Sequence, residues 1–302
     1  MLPFDAHNHV HMGPSPPIQA LLPSSATAEI LPTCCCCLSG MAIMSTHPRD
    51  YQTVLSLAKD LPSQVASSSS STSIVPCLGV HPWFLHELSL QDWQVDDNDN
   101  SSLPTWIQEL EALLVANPHA MVGEIGLDGF HFDPTTQQLT SPMERQVEAF
   151  RLQLELAARL DRPVSIHTVQ CFGPLFAVLS QFSSSNKKRK KKKQSLPPKL
   201  YFHAYGGKAA TVEQILALCG REIGRVYFGF APIINFRSPK TLNVIQKVGI
   251  ERLVLETDHE DAARVPTSME QGIEIIAAAL EMGTQQVVDQ TTANAMDLYN
   301  LN

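Results

Sequence analysis

Short apolar runs alternate with longer stretches of helical periodicity along almost the whole of this chain. Near-continuous apolar runs are what parallel strands need when both faces are covered, and the longer stretches suit the helices that cross between them. Eight strands are predicted, at Leu2–His7, Met41–Thr46, Ile74–Val80, Met121–Leu127, Pro163–His167, Leu200–His203, Val226–Phe230 and Leu253–Glu256. Helices are predicted at Asp50–Asp60, Leu103–Ala116, Pro142–Leu160, Phe172–Gln181, Thr211–Leu218, Pro239–Val248, Ser268–Met282 and Ala293–Leu298, several with Ser, Thr or Asp caps. This pattern over 302 residues fits a TIM-like (β/α)8 barrel, which uses about 250 residues as one domain. An open doubly wound sheet with about six strands is the alternative.

Three polar stretches interrupt the order, at about 67–73, 92–102 and 183–198. Ser-rich and like-charged segments cannot bury apolar surface, so they read as loop insertions into one domain, 1–302, rather than as boundaries. The third contains the basic run Lys187–Lys193.

Composition sharpens this picture. With 44% hydrophobic and 17% charged residues the chain can fill a large core and is not a disordered protein. The formal charge is −8; seven of the 22 bases lie in the single run, and without them 15 bases face 30 acids, a balance of −15. Such a body does not attract a polyanion through its general field, so a nucleic-acid substrate has to be held by local groups or metal ions. Four of the seven cysteines are consecutive, Cys34 to Cys37, and no CxxC pair occurs, which points to reduced, structural thiols in a cytoplasmic setting. No apolar stretch reaches the roughly 18 residues of a membrane span, and Met1-Leu2-Pro3-Phe4 leads straight into Asp5-Ala6-His7-Asn8-His9 without the look of a signal peptide.

The chemistry lies where the apolar runs end. In a parallel barrel all strand C-termini face one side, and side chains two apart on a strand project together. The first strand supplies His7 and His9, the fourth ends in Gly123-Glu124-Ile125-Gly126-Leu127-Asp128, the fifth in His167, the sixth in His203 and the eighth in Glu256-Thr257-Asp258. Imidazoles with carboxylates suit Zn, Mn and related divalent ions, and a glutamate can span two of them.

Together with Gly79-Val80-His81-Pro82 and His203-Ala204-Tyr205-Gly206-Gly207, these segments resemble, in order, the signatures of the TatD DNase family of metal-dependent hydrolases. The resemblance implies a distorted TIM barrel and two divalent ions of Mg, Mn or Zn. It implies His7, His9, Glu124 and Asp258 around one ion and Glu124, His167 and His203 around the other. Glu124 and Asp258 become the catalytic carboxylates, and nucleic acid the substrate: DNA first, with RNA or tRNA as further candidates. His81 and Asp128 are read as contacts to substrate or supports for the ligands; a structural histidine and a capping aspartate are the plainer alternatives.

Three departures from the family pattern touch the substrate side. Val169 stands where the family usually has an arginine, His259-Glu260 where a proline commonly follows, and His11 where an acid is often found. Loss of that arginine brings forward an ester or amide substrate, such as a D-aminoacyl-tRNA, on the same metals. A non-catalytic scaffold that keeps the barrel is a third reading. Lys187–Lys193 is read as a solvated insertion, with nuclear targeting or nucleic-acid contact as the sharper alternatives. His47, His86, His119 and His131 are read as surface residues, and His259 as a loop residue close to the site mouth.

Overall fold

The computed structural model describes residues 1–13, 21, 37–65, 73–95, 103–182 and 195–301. Within these, eight strands form one parallel sheet in the order β1-β2-β3-β4-β5-β6-β7-β8, and the chain folds as a TIM-type barrel. The strands are β1 Phe4–Asn8, β2 Gly40–Met44, β3 Ser73–Leu78, β4 Met121–Asp128, β5 Val164–Val169, β6 Leu200–Phe202, β7 Val226–Gly229 and β8 Leu253–Val254. Each predicted strand is found, with ends displaced by a few residues. Closure comes where the first and last strands meet: the Ala6 amide donates to the Leu255 carbonyl at 2.9 Å and the Asp258 amide to the His7 carbonyl at 3.0 Å.

The helices are α1 Tyr51–Val65, α2 Thr105–Ala116, α3 Met143–Arg159, α4 Phe172–Phe182, α5 Ala209–Cys219, α6 Pro232–Asn235, α7 Lys240–Val248, α8 Val265–Leu280 and α9 Thr284–Leu298. α9 begins nine residues before its predicted start. Its inner stripe is partly polar: Thr291, Thr292 and Asn294 are buried and give their hydrogens to backbone carbonyls, which hides the stripe from a reading of hydrophobicity. The short α6 and the 3-10 turn Pro82–Glu87 are too brief to carry a period, and both border the site.

Two apolar layers hold the barrel. The larger packs outward-facing strand residues such as Ile43, Ile125, Ile166 and Phe228 against the helices. The smaller includes Met44, Cys77, Met121, Tyr201, Tyr227 and Val254. Tyr201 lies two residues before His203, so it sits one pleat N-terminal of that site residue, and this layer forms the floor of the site.

Gly126 is a second fixed point. Its φ is +147°, and a Cβ there would lie 2.0 Å from the His167 carbonyl oxygen, so only glycine lets β4 and β5 approach at this level. Gly126→Ala is expected to destabilise the fold by about 3 kcal/mol or more, measured by urea denaturation, since both backbone conformation and contact are violated. A loss under ~1 kcal/mol would show that the strands can part there.

Among the described residues, Cys37, Cys77, Cys171 and Cys219 are unpaired. No described helix is long and apolar enough to cross a membrane. The Ser67–Ser71 tract, the Lys187–Lys193 run, Cys34 to Cys36 and most of 92–102 lie outside the described residues.

Candidate metal centre

Five imidazoles and two carboxylates from six segments of the chain converge at the C-terminal end of the barrel. Glu124, buried on β4, is the hub. Its Oε2 lies 3.3 Å from His7 Nε2 and 3.1 Å from His9 Nε2, while its Oε1 lies 3.0 Å from His167 Nδ1 and 3.2 Å from His81 Nε2, with His203 Nε2 closer still. Asp258 Oδ1 stands 3.6 Å from His7 and 3.7 Å from His9. Three overlapping groups have ligand atoms within 4.8 Å of one another: His7, Glu124 and His203; His7, His9 and Asp258; and His81, Glu124 and His167. All six residues expected to bind metal therefore come together, and His81 joins them.

The outer nitrogens decide what the inner ones can do. His9 Nδ1 faces the Met44 carbonyl at 2.9 Å and His167 Nε2 faces Asp128 Oδ2 at 2.9 Å; both partners only accept, so these nitrogens carry the hydrogens. In neutral rings, His9 Nε2 and His167 Nδ1 then present lone pairs to the centre. Each meets a second imidazole nitrogen at 3.3 Å, His9 with His7 and His167 with His203. Nitrogens that close are joined either by a hydrogen that His7 or His203 donates from its Nε2 or by a cation between them. Burial disfavours a proton on His9 and His167, yet Glu124, with Asp258 beside His9 and Asp128 beside His167, raises both to about 9. A divalent ion answers the same carboxylates, and the donor set of imidazole and carboxylate fits one.

His81 differs. Its Nδ1 accepts the Trp83 amide hydrogen at 3.2 Å, so the neutral ring carries its proton on Nε2, aimed at Glu124. Burial and the neighbouring His167 and His9 lower this imidazole to about 4 and keep it neutral. Its geometry suits a hydrogen-bond donor rather than a lone-pair donor.

Several supports were not singled out from the sequence. Ser165 Oγ lies 3.0 Å from His7 Nδ1 and stands two residues before His167, on the same face of β5. Asp5, two before His7, accepts from the Thr257 hydroxyl at 2.7 Å and amide at 3.1 Å, tying the first strand to the turn that carries Asp258. That turn places Asp258 at φ 57°. Burial raises Asp5 to about 7, against the pull of these donors. Glu256 lies apart from the ligand cluster: it accepts from Tyr201 and from the Ala204 amide at 2.7 Å, holding the exit of β6 just after His203. The strand alternation that marks the histidines marks these residues too.

Asp128 does more than cap the end of its strand. Besides His167 it accepts the Trp83 indole N–H at 2.7 Å and the amides of Phe130 and His131 at 2.7 and 2.9 Å. Burial would raise this carboxyl, but these bonds, led by that to His167, hold it down at about 2. Asp128→Ala is expected to weaken metal affinity about 10–100-fold, as loss of a ligand's hydrogen-bond partner does, readable by competition with a coloured chelator. Unchanged affinity would reduce Asp128 to a loop brace.

The cleft above the centre has a volume of about 280 Å³. Met12, Trp83, Phe84, Ile233 and Ile234 line it together with Thr46, Glu260 and the centre's own side chains. Among the described residues, no lysine or arginine lines it. His11 turns aside to Asp50, 3.3 Å away, and His131 stacks on Trp83 at 4.3 Å rather than standing free at the surface.

A family model described as TatD related DNase matches residues 4–300. This chain belongs to the TatD family. It is thus a member of a family of metal-dependent hydrolases. Among its relatives are the Cut9-interacting protein scn1 of Schizosaccharomyces pombe, 26% identical over 90% of this chain and 95% of that protein, and the human deoxyribonuclease TATDN3, 26% identical over 86% and 83%. The crystal structure of the TatD homologue YjjV from Escherichia coli superposes with a TM-score of 0.68, covering 99% of this chain and 98% of that one at 23% identity, and so shares the barrel.

Proposed function

We propose that this TatD-family hydrolase cleaves phosphodiester bonds in nucleic acid with two divalent ions. One would be held by His7, His9, Glu124 and Asp258 and the other by Glu124, His167 and His203, with Glu124 between them. The observation that carries the reading is the convergence of two imidazole pairs on opposite oxygens of one buried glutamate, a donor set that suits divalent ions. Relatives that carry the name deoxyribonuclease support the choice of bond.

Ions so placed would supply positive charge for the attacking and leaving oxygens of the displacement. The chain's own groups do the rest. Asp258, whose carboxyl burial raises above its ordinary range, takes the proton of the attacking water. His81 offers its Nε2–H to an oxygen of the phosphoryl group, where developing negative charge strengthens the bond. Ser165, the Met44 carbonyl and Asp128 keep three of the imidazoles in one orientation, so the site is formed before substrate arrives.

One observation favours a second reading. Among the described residues, a cleft lined by Glu260 and apolar side chains, with Val169 at the end of β5, offers no lysine or arginine to a phosphate. Hydrolysis of an ester such as D-aminoacyl-tRNA would use the same carboxylates without that need. Elemental analysis of the purified protein, followed by assay of single-stranded DNA, RNA and D-aminoacyl-tRNA with each metal restored, separates the two. Turnover of the nucleic acids with an inert aminoacyl ester is the expected result; the reverse pattern overturns it.

A further inference from the structure

β6 stops at Phe202, so His203 leaves its strand just where it has to face Glu124. The other imidazoles expected to hold metal, His7, His9 and His167, each have a partner on the outer nitrogen, in Ser165, the Met44 carbonyl and Asp128. Among the described residues His203 Nδ1 has none, so beyond its stacking on His7 at 3.8 Å this ring is placed by its backbone. That backbone is under constraint. Ala204 follows with φ 40°, a left-handed conformation that an alanine keeps only where its surroundings impose it.

Two buried side chains impose it, one at the amide of the residue and one at its carbonyl. Glu256 accepts the Ala204 amide hydrogen at 2.7 Å, while Asn235 Nδ2, on α6, donates to the carbonyls of Ala204 at 3.1 Å and of Tyr205 at 3.2 Å. Both partners of that nitrogen only accept, so the NH2 end of the side chain faces the turn. Asparagine suits the place because one short side chain carries two hydrogens, one for each carbonyl. Its own backbone is held by the Thr241 hydroxyl, which donates to the Asn235 carbonyl at 2.8 Å. We propose that Asn235 is a positioning residue for the centre: by clamping the turn at Ala204 and Tyr205 it aims His203 at Glu124, and so sets the affinity for the ion that Glu124, His167 and His203 would share.

The assignment of the ion rests on the two-ion reading; the aim of the ring does not. Stripped of metal and titrated with zinc, Asn235→Ala should bind one ion as the wild type does and the other about 10–100-fold more weakly, the range for losing a support behind a ligand. Glycine takes a positive φ without steric cost, so adding Ala204→Gly to Asn235→Ala should recover part of that affinity, which no general loosening of the barrel would do. If Asn235→Ala does not fold, Asn235→Ser, which keeps one hydrogen of the two, carries the same comparison. The ring is followed separately by NMR of carbon-13-labelled histidine in the metal-free protein, where the His203 line should move or broaden in the variant while that of His9 keeps its place. Equal weakening of both ions, no recovery in the double variant, or an unmoved His203 line overturns the proposal. A protein that binds no divalent ion would end the two-ion reading, and the histidine spectra would then decide the role of Asn235 by themselves.

Discussion

Alanine at position 124 is expected to empty the centre and remove turnover together. Among the described residues, Glu124 is the only carboxylate that reaches both halves of the cluster, and without it two close imidazole pairs lose the anion between them. Loss of a hydrogen-bond partner outside a metal site weakens affinity by about 10–100-fold. Removing the shared carboxylate should exceed that for both ions. Stability should follow, because an ion at 100 times its Kd adds about 2.7 kcal/mol to the folded state. Elemental analysis, turnover and calorimetry before and after chelation measure the three effects. Glu124→Gln keeps the shape and removes only the charge, so it should show the same loss of metal if electrostatics governs. Full metal content with normal turnover in the alanine variant would end the two-ion scheme.

The second large effect belongs to Asp258→Asn, which should lower kcat by about 10²–10⁴ while retaining most of the bound metal. Asparagine tolerates the left-handed backbone at this position as well as aspartate does, so the turn should survive. Asp5 fixes that turn from the far side through Thr257. What the substitution removes is one charged oxygen near His7 and His9 and, on the proposed mechanism, the proton acceptor. A rate within threefold of the wild type at equal metal content would transfer the proton to another group.

Much of this was legible because two periods act independently. Apolar runs set where strands lie, and the alternation within a strand sets which residues share a face, so His7 with His9 and the acids at the ends of β4 and β8 could be placed before any coordinate. The same alternation carried unread information. Ser165 precedes His167 by two, and Asp5 precedes His7 by two, yet a serine or an aspartate in an apolar run does not announce which nitrogen it faces. His81 was ambiguous for a different reason. Its role turns on a proton fixed by the Trp83 amide, a contact created by the 3-10 turn that follows it. α9 was foreshortened because buried threonines count as polar until their backbone partners are known. The Trp83 indole could not be tied to His167 from the sequence, since that link runs through Asp128, 45 positions away.

The stitch between Asp5 and Thr257 joins positions 252 residues apart. While such a chain is being synthesised, its leading strand waits for nearly everything else before it finds its last neighbour. Activity should therefore arrive late and all at once, when the final strand docks, and not accumulate as the histidines are made. A polypeptide halted short of that strand would hold most of the donors in an open sheet, inert towards any substrate.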